Sequence, residues 1–507
     1  MSFLKRILRQ RPALTDAALE AAMWSSIEAA RLRHAMDPEA EDSWRAGDPL
    51  KLLLVGYLGT RNTGADVRVA EMIRQLRTIV GDERLELSVL TSDARLSAGY
   101  FPGVRQIKLP DVYPPFLYRE TARHHGVVAC EGSMFKSKFA NALTTLMAGA
   151  LGLASVQNKL SLGYGAEAGE MDPLLERFVT RACRESLIVC RNQESVERLA
   201  ELGVPTAPGT DTAWSFTPQP TESPEALLRR SGWDGKAPLV IACPINPFWW
   251  PVQPEPARAL REVLLGRRGE THYRSLYYHR YDERDRERQE RYLDAFAEGV
   301  GTFARERGAC PVVVGMERLD RTACEGLRAR LGPGPLLVSD TVDMDRLVAV
   351  LRRASWVVSS RYHAMVCSMP AGVPSLGVTM DERIRNLCAQ RGQPELSVEV
   401  DDPELGERIT EGLRAGEARR EEVSAGILAC VAREVRAQGR MGIVFEDRLV
   451  QRYPDFERRD VPRTWEHYLP SLAPATRALL ERYPEAPSSQ PRPTPPAPAA
   501  LPAPEPA

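Results

Sequence analysis

Short apolar runs alternate with amphipathic segments along most of the chain. Residues 52–55, 127–130, 239–243 and 356–358 have the length and the aliphatic or β-branched content of strands that are buried on both faces. Segments with helical spacing of apolar residues follow such runs, as residues 65–79 do after the first. Strands that alternate with helices are typical of parallel, doubly wound sheets. The pattern predicts an α/β protein with two Rossmann-like parallel-sheet domains.

The same pattern divides the 507 residues into six regions. The two predicted domains are joined by a Pro/Ser/Glu-rich stretch that is typical of a linker. The last region has ten prolines in 24 residues, so we expect it to be disordered because it cannot bury a core. The predicted regions are a helical N-terminal extension (1–48), the N-terminal domain (50–216), the linker (217–237), the C-terminal domain (238–400), a helical region (401–483) and the Pro-rich tail (484–507).

Composition and charge exclude several classes of protein. The formal net charge is -1, so no global field favours nucleic acid as a partner. Nine cysteines without a Cys-x-x-Cys pair indicate neither a zinc site nor a disulfide framework, and without a secretion signal they favour a cytoplasmic protein. The N-terminus is too basic for a cleavable signal. It permits peripheral contact with a membrane surface, although a solvated helix end is the favoured interpretation.

The strand predicted at 356–358 is followed by two serines and then by Arg361 and His363. Ligands bind at the carboxyl ends of strands in open α/β sheets, and the helix that follows points its first amides there. A guanidinium can hold a carboxylate or a phosphate, and a histidine can move a proton near neutral pH. The alternative is structural, with Arg361 at a helix end and His363 packed in the core.

Other predicted strand ends carry polar groups as well. The glycine-rich turn after the first strand includes Gly59, Asn62 and Gly64, and it is typical either of an anion or substrate cradle or of a structural turn. Later strand ends carry a carboxylate or a guanidinium. These further candidates are Glu131, Arg191, Asp381 and Arg383. Glu131 has two explanations, as a general base or ligand to a substrate hydroxyl and as a helix N-terminal acid that backbone amides satisfy.

The order of these motifs resembles the polysaccharide pyruvyl transferase family over roughly residues 50–390. The matching stretches are 56–64, 191–204 with Asp211 after it, and 360–364, followed by Ala-Gly-Val-Pro at 371–374 and the segment at Asp381. The resemblance implies a fold similar to GT-B glycosyltransferases, with a cleft between the two domains. It also implies transfer of a pyruvyl group from phosphoenolpyruvate to two sugar hydroxyls as a ketal, without a metal or another cofactor. Two departures are Cys-Glu-Gly-Ser at 130–133, in place of a glycine run, and Asp-Glu-Arg at 381–383, in place of Asp-x-Lys.

Roles follow from this chemistry as hypotheses. His363 is the general acid toward the donor methylene, or a proton shuttle between the acceptor hydroxyl and the donor. Arg361 and Arg383 hold the donor, Arg191 completes the anion site, and Glu131 is the general base for the sugar hydroxyl. The further donor-binding candidates are Asp381, Gly59, Asn62 and Gly64.

Two other functions stay open. One is a GT-B-type glycosyltransferase that uses a nucleotide sugar and needs an apolar slot for the base. The other is a non-catalytic scaffold that keeps the fold. The acceptor is expected to be a glycan or a lipid-linked sugar, and neither its identity nor the oligomeric state follows from the sequence.

Overall fold

The computed structural model describes residues 2–38, 42–264, 272–274 and 276–485. Almost all of the predicted Pro-rich tail lies outside the described residues. The first element is helix α1 (Ser2–Met36), which packs on helices of the N-terminal domain through the buried side chains of Met23, Ile27 and Ala30. No helix in the described part of the chain is long and apolar enough to cross a membrane.

The N-terminal domain is built on a seven-stranded sheet in which every neighbouring pair is parallel. Its strand order is β3-β2-β1-β4-β5-β6-β7. Successive strands are added on one side of β1 up to β3 and on its other side from β4 onward. The strands are β1 (Leu50–Val55), β2 (Leu85–Thr91), β3 (Arg105–Lys108), β4 (Gly126–Ala129), β5 (Leu160–Ala166), β6 (Leu187–Cys190) and β7 (Thr206–Pro208). The helices are α2 (Thr63–Val80), α3 (Pro114–Ala122), α4 (Asn141–Val156), α5 (Pro173–Ala182) and α6 (Gln193–Glu201).

The predicted linker is not simply extended chain, because it contains helix α7 (Pro224–Arg230). Ser223 caps this helix by accepting from the amide of Ala226, and Leu227 and Leu228 are buried in the core. The proline at the first helical position and the Ser cap are ordinary helix-start signals. They lie within a stretch whose overall composition is typical of a linker.

The C-terminal domain contains a second, six-stranded parallel sheet with the order β13-β12-β8-β14-β15-β16. A small antiparallel sheet, β9 to β11, is inserted after β8. The strands are β8 (Leu239–Cys243), β9 (Gln253–Pro254), β10 (His272–Arg274), β11 (Tyr277–Tyr278), β12 (Cys310–Gly315), β13 (Leu336–Val338), β14 (Trp356–Ser359), β15 (Ser375–Thr379) and β16 (Ser397–Glu399). The helices are α8 (Pro256–Leu264), α9 (Glu283–Arg307), α10 (Arg321–Leu331), α11 (Met344–Leu351), α12 (Tyr362–Ser368) and α13 (Glu382–Gln390).

Three C-terminal helices complete the described chain: α14 (Leu405–Ala418), α15 (Arg420–Arg452) and α16 (Pro474–Arg482). Helix α15 joins the two domains because its two halves lie in different hydrophobic cores. Ile427 and Val431 pack in a core that includes strands of the C-terminal sheet, whereas Phe445 and Leu449 pack in a core of the N-terminal sheet. At 33 residues the helix is roughly 50 Å long, enough to span both domains.

Candidate active site

The carboxyl ends of strands from both sheets meet at one cleft, and a cavity of about 60 Å³ lies there. The loop before α2 and the loops after β4 and β6 line it from the N-terminal domain. The loops after β8, β12, β14 and β15 line it from the C-terminal domain. Its lining residues include Asn62, Gly64, Ala65, Glu131, Ser133, Arg191, Ile245, Met316, Ser360, Arg361, Tyr362, His363, Met380 and Arg383.

His363 reaches across the cleft from α12 to the N-terminal domain. Its Nε2 lies 3.3 Å from Oδ2 of Asp211, which follows β7. The His363 side chain also packs against Gly64. A Cβ atom at position 64 would lie within 3.0 Å of three His363 side-chain atoms, including Nδ1. A glycine at position 64 is therefore required for this ring orientation. Burial lowers the pKa of His363 even though Asp211 acts to raise it, so the ring is neutral at neutral pH.

Asp211 connects His363 to two buried arginines. Its carboxylate accepts from Nε of Arg68 at 3.1 Å and from Nη1 of Arg191 at 3.1 Å, and it also caps the turn at the amide of Ala213. Burial alone raises the pKa of Asp211, but Arg68 and His363 outweigh this effect and hold the pKa well below its usual range. Asp211 is therefore a carboxylate that accepts hydrogen bonds only, and the neutral His363 ring carries its proton on Nε2.

Arg68 anchors this network from the interior of α2. Its side chain is 0% exposed, and it also donates to the backbone carbonyls of Cys130 at 3.1 Å and Gly165 at 2.8 Å. The three acceptors come from the ends of three different strands or their following loops. Arg68 thus joins three segments of the N-terminal sheet edge.

Arg191 is held between carboxylates on the same edge. Its Nε and Nη2 both donate to Glu167, with the Nε to Oε2 distance at 2.6 Å, and its guanidinium lies 4.4 Å from the centroid of the Tyr362 ring. Glu167 also pairs with Lys136, whose Nζ lies 2.5 Å from Glu382 of the opposite domain. Arg191 contacts the cavity, but most of its donors are already satisfied by protein groups.

Arg361 is paired with two carboxylates that follow β12. Its Nε lies 2.9 Å from Oδ2 of Asp320, its Nη2 also donates to Asp320, and Nη2 lies 2.9 Å from Oε2 of Glu317. Its Nη1 makes no hydrogen bond to any residue that the structure describes. With 20% of its side chain exposed, Arg361 presents a free edge of its guanidinium to the cavity.

Glu317 also closes the cleft. Its Oε1 accepts from the hydroxyl of Tyr57 at 2.9 Å, and its Oε2 accepts from Nδ2 of Asn62 at 3.1 Å. Burial raises the pKa of Glu317 and that of Asp320, with Arg361 opposing the shift in both. Asn62, which the sequence predicted as a site residue, thus contacts the opposite domain through its Nδ2. It also caps α2, because its Oδ1 accepts from the amide of Ala65.

Arg383 is the second guanidinium that reaches the cavity, with 18% of its side chain exposed. Its Nε lies 2.8 Å from Oδ2 of Asp381, the residue that caps α13. Its Nη1 lies 3.2 Å from the hydroxyl of Ser133 on the opposite domain, and its guanidinium lies 4.8 Å from the centroid of the Phe139 ring. The Asp381 carboxylate orients Arg383 and does not itself line the cavity.

Of the two remaining residues that the sequence predicted at the site, Glu131 and Gly59, only Glu131 lines the cavity. Glu131 lines the cavity, where its Oε1 accepts from the amide of Gly132 at 2.8 Å and lies 3.9 Å from Nη1 of Arg68. Gly59 does not line it. Gly59 has a φ of +72°, and a Cβ there would collide with Thr91, the last residue of β2, and with Asp93. Its glycine serves the packing of the turn.

The structure brings together most of the residues predicted from the sequence: Asn62, Gly64, Glu131, Arg191, Arg361, His363 and Arg383 line one cavity. Sequence reasoning missed Arg68. The available signal was the cluster of polar positions Asp66, Arg68, Glu71 and Gln75, all of which are buried in α2. Within the described residues, no group of three or more His, Cys, Asp or Glu side chains is arranged to hold a metal ion.

The fold and cleft define a two-domain α/β protein of the GT-B-like class. A family model described as Polysaccharide pyruvyl transferase matches residues 127–382, which is just over half of the chain. The chain belongs to the polysaccharide pyruvyl transferase family. This result confirms the resemblance inferred from the motifs.

The chain is similar to several solved structures at low sequence identity. The chain is similar to UDP-GlcNAc 2-epimerase from Neisseria meningitidis bound to UDP-GlcNAc, with 11% identity, 79% of this chain and 100% of that chain covered, and a TM-score of 0.50. It is also similar to a putative UDP-N-acetylglucosamine 2-epimerase from Listeria monocytogenes, with 13% identity, 75% and 90% covered, and a TM-score of 0.46. A third similar structure is ADP-heptose lps heptosyltransferase II from E. coli, with 12% identity, 73% of this chain and 100% of that chain covered, and a TM-score of 0.36. These likenesses concern the fold alone, and no curated protein matches the chain.

Proposed function

We propose that this protein transfers a pyruvyl group from phosphoenolpyruvate to two hydroxyls of a sugar and so forms a cyclic ketal. One observation carries the proposal. A small cavity receives the free edge of Arg361, the exposed part of Arg383 and the ring of His363, whose Nε2 is held by Asp211. Two guanidiniums and one proton carrier are the groups that a three-carbon phosphorylated acid requires.

Arg361 and Arg383 bind the donor in this proposal. Arg361 offers Nη1 to the carboxylate or the phosphate, while Asp320 keeps the guanidinium plane oriented. Arg383 exchanges the neutral Ser133 hydroxyl for an anionic oxygen, which is the stronger acceptor. Arg191 retains its carboxylate partners and acts through the position of Asp211.

His363 acts as the proton shuttle rather than as an acid that is protonated beforehand. The neutral ring, with its proton on Nε2, leaves Nδ1 as the acceptor for the proton of a sugar hydroxyl. Asp211 stabilises the imidazolium that results, and the ring then delivers the proton to the methylene carbon of the donor. The lowered pKa of His363 supports this role because the ring starts each cycle neutral.

The atoms balance without any redox partner. Protonation of the donor methylene gives a methyl group and a cationic C2 centre, which the first sugar oxygen attacks. The C2 bond to the phosphate oxygen then breaks, and the second sugar oxygen forms the second C2–O bond. The second hydroxyl proton leaves through Glu131, which faces the same cavity. The products are inorganic phosphate and the ketal.

The polarity of the cavity favours this donor over a nucleotide sugar. Polar and charged side chains make up much of its lining, and it offers no apolar slot for a base among the described residues. The glycosyltransferase hypothesis therefore has less support from the site.

The test is calorimetric titration of the purified protein with phosphoenolpyruvate, uridine diphosphate and guanosine diphosphate. We expect phosphoenolpyruvate alone to bind, and Arg361→Gln to abolish that binding. A screen of glycan and lipid-linked acceptors for phosphate release would follow. Binding of either nucleotide in place of phosphoenolpyruvate would overturn the proposal in favour of glycosyl transfer.

A further inference from the structure

Helix α1 has one face that packs on the N-terminal domain and an opposite face that is exposed. Met23, Ile27 and Ala30 are buried in the core beneath the helix. Ser25 lies two positions from both Met23 and Ile27, and two positions turn a helix by about 200°, so Ser25 points away from the domain. The exposed face, which we call the α1 stripe, consists of positions 14, 18, 21, 25, 29, 32 and 36.

The α1 stripe carries most of the large apolar side chains that the described part of the chain exposes. Five such side chains are exposed there, and three of them belong to the stripe: Leu14 at 65%, Leu32 at 63% and Met36 at 79% exposure. The positions between them are alanines, apart from Ser25. A continuous apolar surface of this kind marks a contact site, whereas apolar residues scattered singly do not.

Ser25, at the middle of the stripe, can be buried in a contact without leaving its hydroxyl unpaired. Its Oγ donates to the carbonyl of Ala21 in the same helix at 2.8 Å. A hydroxyl that is bonded within its own helix needs no acceptor from outside. The centre of the stripe is therefore a set of small residues that allow a second helix to approach closely.

The spacing of the stripe is the same when it is counted from either end. Successive positions are 4, 3, 4, 4, 3 and 4 residues apart. This is an 11-residue repeat of about 3.67 residues per turn, so the stripe follows a nearly straight helix for about 33 Å. The spacing is symmetric about Ser25. An antiparallel second copy of α1 would therefore place Leu14 against Met36, Ala18 against Leu32, Ala21 against Ala29, and Ser25 against Ser25.

Such a pairing is a two-fold contact, in which each copy uses the same surface. Large side chains at the ends and alanines at the centre make the two surfaces complementary, because Ala18 leaves room for Leu32 of the second copy. Alanines suit close packing against another helix, whereas they add little hydrocarbon to a contact with a membrane.

The charges beside the stripe favour the antiparallel orientation. In a parallel pair, Glu28, Arg31 and Arg33 would each face its own copy, and like charges destabilise a helix contact. In the antiparallel pair about Ser25 they face positions 22, 19 and 17 of the second copy, which are uncharged. The two helix dipoles also run in opposite directions, so the end of each helix lies beside the opposite partial charge.

We propose that the α1 stripe is the contact between two copies of this chain, which pair antiparallel about a two-fold axis at Ser25. The inference is independent of the proposed function, since no stripe residue lines the candidate active site. The contact is one helix wide, so it belongs to the small interfaces, below about 1,200 Å², that are typical of transient association. We therefore expect a dimer that dissociates at micromolar concentrations.

The experiment is sedimentation velocity of the full-length protein over a range from about 1 to about 200 μM, which brackets a micromolar dissociation constant. We expect a shift from monomer to dimer, and Leu32→Glu should raise the dissociation constant at least tenfold because it buries a carboxylate against Ala18. The matched control is Leu260→Glu, on α8 at the same 63% exposure, which should leave the dimer unchanged. A monomer at every concentration, or a dimer that Leu32→Glu preserves, would overturn the proposal.

Two double variants test the orientation. Ala21→Glu with Ala29→Glu places carboxylates opposite carboxylates and should abolish the dimer. Ala21→Glu with Ala29→Lys places a carboxylate opposite an ammonium on both sides of the two-fold axis and should preserve it. In a parallel pair each new charge would face its own copy, so loss of the dimer in both double variants would contradict the antiparallel arrangement.

Cross-linking and membrane binding give two further readouts. Ser25→Cys should form a covalent dimer on oxidation, because the axis brings the two copies of position 25 together. Ala35→Cys, at an exposed position of α1 outside the stripe, should form no more than the unaltered protein does. Flotation with vesicles of phosphatidylcholine and phosphatidylglycerol tests the competing partner. Vesicle binding that Leu32→Glu removes, without a dimer in solution, would assign the stripe to a membrane and refute the proposed pairing.

Discussion

Two groups of paired charges face each other across the cleft, and they differ in how far they reach the cavity. The group on the N-terminal domain consists of Arg68, Arg191, Asp211 and Glu167, and it is almost completely buried. The group on the C-terminal domain consists of Arg361 and Arg383 with their carboxylate partners, and both arginines remain about one fifth exposed.

The difference indicates separate duties. A buried ion pair is costly to break because a charge is left without its partner, so the N-terminal group is suited to hold a geometry. A partly exposed guanidinium can exchange a hydroxyl or solvent for an anionic ligand at low cost, so the C-terminal group is suited to bind. His363 lies where the two groups meet, since it is carried by α12 and paired to Asp211. The predictions that follow test this division.

The largest effect is expected at His363. His363→Ala should lower the turnover number by about 10²–10⁴-fold, the usual contribution of a positioned acid or base. The measurement is phosphate release from phosphoenolpyruvate with a saturating acceptor, and His467→Ala, at an exposed histidine, is the control. Full turnover in His363→Ala would show that the ring does not carry the proton.

The N-terminal group should respond in stability. Arg68→Met removes the partner of Asp211 and two carbonyl contacts, so we expect the free energy of unfolding to fall by about 3–5 kcal/mol. The free energy of unfolding is measured by urea denaturation of a two-state transition. Arg95→Met, at an arginine that is 89% exposed, should leave the unfolding midpoint unchanged. Equal effects of the two substitutions would contradict a scaffold role for Arg68.

The C-terminal group should respond in ligand binding. Arg361→Lys keeps the charge but loses the planar fork, so the Kd for phosphoenolpyruvate should rise about ten- to hundredfold with a smaller change in stability than in Arg68→Met. Calorimetric titration gives the Kd. Arg385→Lys, on the exposed side of α13, is the matched control and should bind as the unaltered protein does. A loss of stability without a loss of affinity would assign Arg361 to the scaffold instead.

The smallest effect is a pH dependence. Because burial lowers the pKa of His363, the unfolded state takes up a proton near pH 6.5 before the folded state does, so stability falls as the pH decreases below 6.5 and is unaffected above it. The acid limb of kcat/KM should have an apparent pKa below 6.5, and Asp211→Asn should move it lower still. An acid limb above pH 6.5 would contradict a ring that is neutral at rest.

The repeating strand and helix pattern was sufficient to predict both sheets, because parallel strands buried on both faces are written as continuous apolar runs. It was also sufficient to bring Arg361, His363 and Arg383 to one edge, since that edge collects the carboxyl ends of all the strands. Short edge strands such as β3 escaped prediction, as did helix α7, whose cap signals lie within a linker-like composition. Arg68 escaped because a charged residue in a helix is normally solvated.

The sequence by itself determined the architecture, the family and the kinds of side chain available at the cleft, because these depend on local periodicity and on the order of motifs. Only the tertiary structure decided which charges neutralise one another. Asp211 and His363 are 152 positions apart, and Tyr57 and Glu317 are 260 apart, on different domains. Such pairings depend on how two separately folded sheets dock through α15, and a one-dimensional pattern carries no information on that geometry. The same docking determines which guanidinium is buried and which remains free to bind.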